Sequence, residues 1–234
     1  MNIPKVRISE IYDSIQGEGF LVGSYTRFVR FQGCHVGCRW CDTKYSWSVK
    51  KGKEIGALEL YNQITDKLKI NQWICITGGE PLEQYMSLYW LVEKLSKKDF
   101  NNITIETSGV PIDDVIQIVD FNEFNNLFLS ISPKLPSAFK VFNQELFINT
   151  VDNWYKYIDK KYMMQFKFVV SNEDDLAFLD FVFDQHEYLD VHKYLQIEES
   201  KVHDKDFITK TLMFVKNHTD FKLGFQYHKF LELR

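Results

Sequence analysis

Short runs of β-branched and aromatic residues alternate along this chain with longer segments of helical period. This alternation is typical of βα units built around a parallel sheet. The predicted strands are 26–31, 74–77, 103–107, 127–132, 166–170 and 194–197. The predicted helices are 57–68, 88–97, 113–119, 172–185 and 204–218, and the stretch between 131 and 166 is poorly marked because PKLPSAF interrupts its first part.

Six parallel strands with crossover helices predict an α/β fold, an incomplete TIM-type barrel whose chemistry collects at the carboxyl ends of the strands. The 234 residues, 45% of them hydrophobic, suffice for one sizeable core. No repeat and no linker rich in Pro, Gly or Ser divides the chain. We therefore expect a single domain over residues 1–234.

Polar motifs follow five of the six predicted strands. They cover 33–47, 77–81, 106–109, 132–134 and 196–198. Loops placed at random would not sort in this way, and the carboxyl ends of parallel strands meet at one end of a barrel. These motifs are therefore expected to line one site.

The charge balance argues against a polyanionic partner. A formal net charge of -4 and a pI near 5.9 give no general attraction to nucleic acid or to an anionic membrane, so we expect a small-molecule substrate. No apolar run approaches the roughly 20 residues of a bilayer span, and the start MNIPKVRISE has no apolar stretch of signal-peptide type. These features predict a cytoplasmic protein without a membrane or nucleic-acid partner.

Three cysteines, Cys34, Cys38 and Cys41, form a C-x3-C-x2-C loop. Three thiolates on one loop can hold three irons of a [4Fe-4S] cluster and leave the fourth iron open. A zinc site is the alternative, with His35 as fourth ligand, but this histidine lies between the cysteines and zinc sites favour paired C-x2-C knuckles. Cys75, in the apolar run WICIT, is predicted to be a small buried hydrophobe.

The cysteine spacing, with Trp40 directly before Cys41, resembles the signature of the radical S-adenosylmethionine (SAM) superfamily. In that superfamily the open iron chelates SAM, and an electron from the cluster cleaves SAM to a 5′-deoxyadenosyl radical. The segment Gly78-Gly79-Glu80-Pro81 resembles the superfamily's GGEP segment, whose backbone and carboxylate hold the methionyl amino group. The resemblance implies that the cofactor performs the hard step while the protein positions it and excludes water, with no further catalytic side chain.

Longer stretches narrow the resemblance. EIYDSIQGEG, GCHVGCRWCDTKYSW, ITGGEP and IETSG together are similar to the 7-carboxy-7-deazaguanine synthase family. Its members, carbon-nitrogen lyases, convert 6-carboxy-5,6,7,8-tetrahydropterin to 7-carboxy-7-deazaguanine with loss of ammonia, toward queuosine and other 7-deazapurines. The resemblance also implies Mg²⁺, a flavodoxin or ferredoxin as electron donor, and a homodimer.

Site residues follow from the same resemblance, position by position. Thr43 matches the family residue whose hydroxyl helps to hold magnesium, and Arg30 would approach the substrate carboxylate, which suits a planar guanidinium. His228, in the closing QYHK segment, and the terminal Arg234 would face the pterin. The implied substrate contacts are Ile15, Gln16, Gly17, Glu18, Arg30, Thr77, His228 and Arg234. The implied SAM contacts are Trp40, Gly78, Gly79, Glu80, Thr107, Ser132, Lys134 and Gln196, with Ser108 and Gly109 completing the ETSG match.

Two segments depart from the family pattern. Where many relatives have Gln-Pro after the sixth strand, this chain has Gln196-Ile197-Glu198, which leaves the adenosine contacts open. The stretch 141–164 matches nothing in the pattern and is interpreted as an added helix over the barrel edge or part of a dimer interface. Two other functions stay open at this point: a radical SAM activase that makes a glycyl radical on a partner protein, and a non-catalytic metal-binding module.

Overall fold

The computed structural model describes residues 3–97, 102–110, 115 and 119–233. Nine strands in these ranges form one sheet. They are β1 (Lys5–Ile15), β2 (Tyr25–Phe31), β3 (Lys53–Gly56), β4 (Trp73–Gly78), β5 (Ile103–Thr107), β6 (Leu127–Ile131), β7 (Met164–Val170), β8 (His192–Ile197) and β9 (Phe221–Gly224). The helices described are α1 (Ala57–Thr65), α2 (Tyr85–Ser96), α3 (Gln144–Tyr157), α4 (Glu173–Gln185), α5 (Lys205–Asn217) and the short α6 (Tyr227–Phe230).

The sheet runs in the order β3-β1-β2-β4-β5-β6-β7-β8-β9. Pairing is parallel from β2 through β9, whereas β1 pairs antiparallel with both β2 and β3. The two edge strands do not pair with each other, so the barrel stays open. The predicted partial barrel is therefore confirmed, and the six predicted strands correspond to β2 and β4 to β8.

Four of the five predicted helices are present, with shifted ends. The helix predicted over 57–68 ends at Thr65, because Lys67 has a φ of 54° that no α-helix continues through. The helix predicted from 88 begins at Tyr85, directly after a 3₁₀ turn over Pro81–Gln84. Asn172 and Asp204 are side-chain N-caps rather than helical residues. The helix predicted over 113–119 lies outside the described residues except at 115 and 119.

The stretch 141–164, which the sequence left unassigned, contains the regular crossover helix α3 between β6 and β7. Asn143 caps its N-terminus by accepting a hydrogen bond from the Leu146 amide at 3.0 Å. Phe147, Val151 and Trp154 are spaced along one face and are buried. The interpretation of this stretch as an added edge element was wrong, because its hydrophobic period serves the βα repeat itself.

The strand ends position the polar motifs. The motifs after β2, β4, β5, β6 and β8 all stand at the carboxyl ends of parallel strands. The segment after β1 arrives from the opposite direction, because Ile15 pairs with Tyr25 at the start of β2. It crosses the interior toward β7, where the Phe20 amide donates to Gln165 Oε1 at 2.8 Å. Residues 16–20 therefore lie across the interior of the open barrel, and we call this segment the floor of the cavity.

Within the described ranges, no helix combines the length and the apolar character that crossing a bilayer requires.

Candidate active site

One cavity of about 420 Å³ occupies the carboxyl end of the barrel. The residues predicted as cluster, magnesium, SAM and substrate contacts converge on it. Its lining includes Ile15, Gln16, Gly17, Glu18, Arg30, Cys34, Cys38, Trp40, Cys41, Thr43, Thr77, Gly78, Gly79, Glu80, Thr107, Ser132, Lys134, Gln196 and His228. Arg234 lies outside the described residues.

The cysteine loop is held on both sides by backbone hydrogen bonds. The amides of Gly33 and Cys34 donate to the carbonyls of Ser46 and Trp47 at 2.8 and 3.2 Å, and the Arg39 amide donates to Ala138 at 2.9 Å. Gly33 has a φ of 112°, a left-handed conformation that favours glycine. These contacts fix the path of the loop against residues 46–47 and Ala138.

The donor set fits an iron-sulfur cluster. Cys34, Cys38 and Cys41 are all free thiols that line the cavity. Burial raises the pKa of both Cys34 and Cys38, so thiolate ligands form there by releasing protons to solvent as metal binds. The imidazole Nδ1 of His35 lies 2.5 Å from the Glu83 carboxylate, so this histidine is engaged away from the sulfurs and the zinc alternative loses its fourth ligand.

Trp47 makes a contact to the cluster loop that the sequence did not predict. Its indole N-H donates to the Cys41 sulfur at 3.3 Å. Hydrogen bonds to cysteine sulfur stabilise the extra negative charge of a reduced cluster. Among the described residues, Cys41 is the one cluster cysteine whose sulfur accepts a hydrogen bond from an aromatic side chain.

We expect Trp47→Phe to make the cluster harder to reduce. Losing one hydrogen bond of about 1 kcal/mol corresponds to a midpoint potential lower by roughly 40 mV for a one-electron couple. A redox titration followed by electron paramagnetic resonance would measure it, with Trp90→Phe on α2 as the matched control. An unchanged or raised potential in Trp47→Phe would contradict this role.

The GGEP segment packs directly against the cysteine loop. A Cβ atom at Gly79 would lie 1.9 Å from the Gly33 carbonyl oxygen, so only glycine fits there. The Gly79 amide donates to Phe31 at 3.0 Å and the Glu80 amide donates to Gly33 at 2.8 Å. These contacts join the ends of β2 and β4 into one surface beside the cysteines.

The Glu80 carboxylate is fully engaged by the protein. It is 1% exposed and accepts hydrogen bonds from the Thr107 hydroxyl at 2.5 Å, from the Ser108 amide at 2.8 Å and from the Ser108 hydroxyl at 2.5 Å. Burial raises its pKa despite these donors. These contacts fix the ETSG segment to the GGEP turn, and the implied contact of the carboxylate with a ligand amine stays a prediction.

Two features fit a bound SAM molecule. The side-chain oxygen Oε1 of Gln196 is buried, lies on a residue that lines the cavity and has no hydrogen-bond partner. A buried acceptor without a donor is costly, so a ligand N-H or O-H group is the expected partner. Lys134 lies 5.7 Å from the centre of the Trp40 ring and donates to Ser132 at 3.1 Å, which arranges a cation and an aromatic face beside the cysteines.

A carboxylate bridge connects the floor of the cavity to its wall. Glu106, on β5, accepts hydrogen bonds from Gln16 Nε2 at 2.9 Å and from the Thr77 hydroxyl at 3.0 Å. Gln16 and Thr77 are both predicted substrate contacts from distant parts of the chain. Glu106 therefore fixes their relative positions.

A buried ion pair anchors the QGEG segment. Glu18 pairs with Lys167 on β7 and also accepts a hydrogen bond from Gln226 Nε2 at 2.8 Å. Burial alone would raise the pKa of Glu18, but the Lys167 ammonium and the two hydrogen bonds outweigh burial and lower the pKa to about 2. The pKa of Lys167 is correspondingly raised, so both groups are charged at neutral pH.

The C-terminal segment closes against the same floor. The Tyr227 amide donates to the Gly17 carbonyl at 3.0 Å. A Cβ atom at Gly17 would lie 2.2 Å from His228 Nδ1, so glycine is required for this approach. His228, which a chain-end position would ordinarily leave in solvent, is thereby placed at the cavity.

Arg30 reaches the cavity with part of its guanidinium group already used. Its Nε donates to Glu10 at 2.9 Å and one terminal nitrogen donates to the Tyr12 hydroxyl at 3.0 Å. The Tyr45 hydroxyl also donates to Glu10, at 2.7 Å. The other terminal nitrogen of Arg30 has no hydrogen-bond partner among the described residues, which leaves a donor for an anionic substrate group.

Several residues of the site escaped sequence reasoning. Lys167 had a usable signal, because a lysine between Phe166 and Phe168 in a buried strand is rarely placed without a partner. Glu106 was visible within ETSG but carried no separate prediction. Glu10, Tyr12 and Tyr45 gave no signal, since polar residues at intervals of two are ordinary in a half-exposed strand or loop.

Known proteins match this chain over most of its length. A family profile described as a 4Fe-4S single cluster domain matches residues 15–132. A 7-carboxy-7-deazaguanine synthase from Pyrobaculum aerophilum is 36% identical over 177 residues, covering 74% of this chain and 70% of the relative. Proteins of the same name from Thermoplasma acidophilum and Bacillus subtilis are 37% and 30% identical, covering 75% and 86% of this chain and 75% and 80% of the relatives.

The fold also matches a solved structure. QueE from Escherichia coli superposes with a TM-score of 0.67 at 24% identity, covering 96% of this chain and 95% of that protein. At this identity the match concerns the fold, and it agrees with the open barrel of parallel strands described above.

Proposed function

The chain belongs to the 7-carboxy-7-deazaguanine synthase family, and from this we infer that it is a radical SAM enzyme of 7-deazapurine biosynthesis. It converts 6-carboxy-5,6,7,8-tetrahydropterin to 7-carboxy-7-deazaguanine with loss of ammonia. The observation that carries this assignment is the convergence of the cysteine loop, the GGEP turn and the QGEG floor on one cavity. Roles of individual residues are part of the proposal.

One side of the cavity would hold the cofactors and the other side the substrate. Cys34, Cys38 and Cys41 would hold the [4Fe-4S] cluster, and the surface of Gly79, Ser132, Lys134 and Gln196 would hold SAM. When bound, these groups supply one-electron cleavage of SAM and hydrogen-atom abstraction from the substrate. The chain's own contribution is to orient both molecules and to keep water out.

The opposite half would bind the pterin. Gln16 and Thr77, fixed by Glu106, offer neutral polar groups to the edge of the ring system. The free terminal nitrogen of Arg30 would bind the substrate carboxylate, and His228 would close over the floor. Because Glu18 is held ionised by Lys167, it can accept hydrogen bonds from the aminopyrimidine edge at any neutral pH.

Magnesium is proposed to bind at Thr43. Its hydroxyl lies 3.6 Å from the Cys41 sulfur and Thr43 lines the cavity, so this residue would hold the ion beside the cluster loop. Magnesium takes few protein oxygens and completes its shell with substrate oxygens and water. One hydroxyl together with a substrate carboxylate fits this preference.

We expect Thr43→Val to weaken the magnesium dependence of turnover while cluster content stays at the level of the unmodified enzyme. The valine keeps the side-chain shape but removes the ligand oxygen. Rates measured across a magnesium titration would test this, with Thr209→Val on α5 as the control. An unaltered magnesium response would count against the assignment.

Further expectations complete the proposal. We propose that residues 1–234 act as one radical SAM domain, which is supported by the single continuous sheet. The family resemblance supports a homodimer and a flavodoxin or ferredoxin as reductant. A cytoplasmic location suits a cluster held by thiolates, because reducing compartments keep cysteines available as ligands.

The direct test is the mass of the product. The enzyme is reconstituted with iron and sulfide without oxygen and incubated with SAM, reductant, magnesium and 6-carboxytetrahydropterin. We expect 7-carboxy-7-deazaguanine to accumulate as the pterin is consumed. Reductive SAM cleavage with an unchanged pterin would overturn the substrate assignment and favour another radical SAM reaction, such as activation of a partner protein.

A further inference from the structure

Positive charge is concentrated around the cysteine loop. Between residues 35 and 53 the chain has five Lys and Arg residues against one Asp, whereas the whole chain has 28 against 32 acidic residues. Four of the five form what we call the basic rim: Arg39, Lys44, Lys50 and Lys51, all exposed. Among the described residues, none of the four has an ion-pair partner. Their charge is therefore available to a molecule outside the chain.

The residues of the basic rim lie within or close after the cysteine loop in the sequence. Arg39 lies between Cys38 and Cys41 in the sequence, and Lys50 and Lys51 lie on the 3₁₀ turn Val49–Lys51. This turn begins two residues after Trp47, whose carbonyl accepts a hydrogen bond from the Cys34 amide at 3.2 Å. A protein bound to the rim would therefore contact residues that lie close in the sequence to the cluster ligands.

An aromatic group connects the rim to a cluster ligand. The Lys44 ammonium lies 5.9 Å from the centre of the Trp47 ring, and the indole N-H of Trp47 contacts the Cys41 sulfur. Tyr45 and Val49 are each 48% exposed beside the charged residues. Exposed aromatic and apolar groups inside a charged margin are the composition of a protein-protein interface.

We propose that the basic rim is the docking surface of an acidic one-electron carrier protein. The inference rests on the proposed function, in which the cluster must accept one electron; the docked carrier is oxidised by one electron and the cluster is reduced by one. Charge complementarity selects the carrier, because an acidic face meets unpaired cations of opposite sign. Electrostatic steering would raise the association rate and make it dependent on salt.

The test measures the rate of cluster reduction in the reconstituted enzyme by a reduced acidic flavodoxin, followed by the loss of cluster absorbance. For the unmodified enzyme we expect the second-order rate to fall steeply as salt is added. For Lys50→Glu/Lys51→Glu we expect a rate lowered by roughly tenfold or more at low salt, with a flattened salt dependence. Reduction by dithionite, a small inorganic anion that needs no docking surface, is expected to slow far less in this variant than reduction by flavodoxin does.

The matched control is Lys67→Glu/Lys69→Glu, the same change of charge at exposed lysines between α1 and β4, at the opposite end of the barrel. We expect this variant to be reduced by flavodoxin at close to the normal rate. Equal rates in the rim variant and the control, or a rate of the unmodified enzyme that ignores salt, would overturn the docking surface. The docking surface would also be overturned if the rim variant were reduced by flavodoxin at the normal rate and lost only its binding of a short RNA. That result would identify the rim as a nucleic-acid surface.

Failure of the docking surface can be distinguished from failure of the proposed function. Cluster reduction is read without pterin, so a rim that fails to dock flavodoxin leaves product formation with dithionite intact. Conversely, an enzyme that forms no product with dithionite contradicts the proposed reaction whatever the rim does.

Discussion

Replacing Cys38 by Ala is expected to abolish assembly of the [4Fe-4S] cluster and, with it, all turnover. Cys38 is the buried member of the three cysteines, and the two remaining thiolates cannot hold three irons. Iron and sulfide content after anaerobic reconstitution measures the effect directly. Since SAM binding to the open iron requires the cluster, reductive SAM cleavage should be lost to the same extent.

Cys75→Ala supplies the control for Cys38→Ala. Cys75 is fully buried in β4, and burial raises its pKa well above that of a free thiol, so it is a poor ligand. The control should lose only about 1 to 2 kcal/mol of unfolding free energy from the small cavity and keep its full iron content. Normal iron in Cys38→Ala, or lost iron in Cys75→Ala, would show that the ligands were assigned to the wrong cysteines.

The sequence predicted the parallel strands β2 and β4 to β8 because each contains a short run rich in β-branched and aromatic residues, and most of these runs are followed by a segment of helical period. β1, β3 and β9 lack that signal. KVRISEIYDSI, which forms β1, mixes charged and apolar residues because its pairing partners leave it only partly buried. KEIG and FKLG, at the two sheet edges, are four residues long and are defined by pairing rather than by composition.

The candidate site also contains residues that the sequence predicted and residues that it did not. Cysteines, glycines and the Gln-Gly-Glu-Gly segment were found because each residue type is restricted by local chemistry. The groups that hold them were missed because their roles exist only between distant segments. Glu106 connects Gln16 to Thr77, and Lys167 meets Glu18 across 149 positions of the chain. No local pattern encodes such a pairing.

Glu80 has a structural role that its motif does not reveal. Its motif position predicted that it lies at the cavity, and the structure adds that its carboxylate accepts hydrogen bonds from Thr107 and Ser108. The motif therefore specifies a rigid corner in which Gly79 lies against Gly33.

The second large effect is expected from Lys167→Met, which leaves the Glu18 carboxylate buried without its counter-charge. Lys167 is 7% exposed, so water cannot replace the lost ammonium. Breaking a buried pair by removing one partner costs about 3 to 5 kcal/mol of unfolding free energy. Urea denaturation of the reconstituted enzyme at pH 7 would measure this loss, and Lys167→Arg, which keeps the charge, should recover much of it.

The pH dependence of Lys167→Met distinguishes loss of charge pairing from loss of packing. In the unmodified protein the pKa of Glu18 is lowered from 4.5 to about 2, so its contribution to stability is complete above pH 4.5 and is lost as the pH falls toward 2. Without Lys167, burial raises this pKa instead, so the variant should gain stability relative to the unmodified protein as the pH falls and Glu18 takes up a proton. Glu18→Gln/Lys167→Met, with neither charge, should lose less than Lys167→Met alone, and above pH 4.5, where Glu18 of the unmodified protein is still fully ionised, it should show no such gain. A double variant as unstable as Lys167→Met at every pH would mean that the lysine acts through its packing, and that the ion pair does not hold the cavity floor.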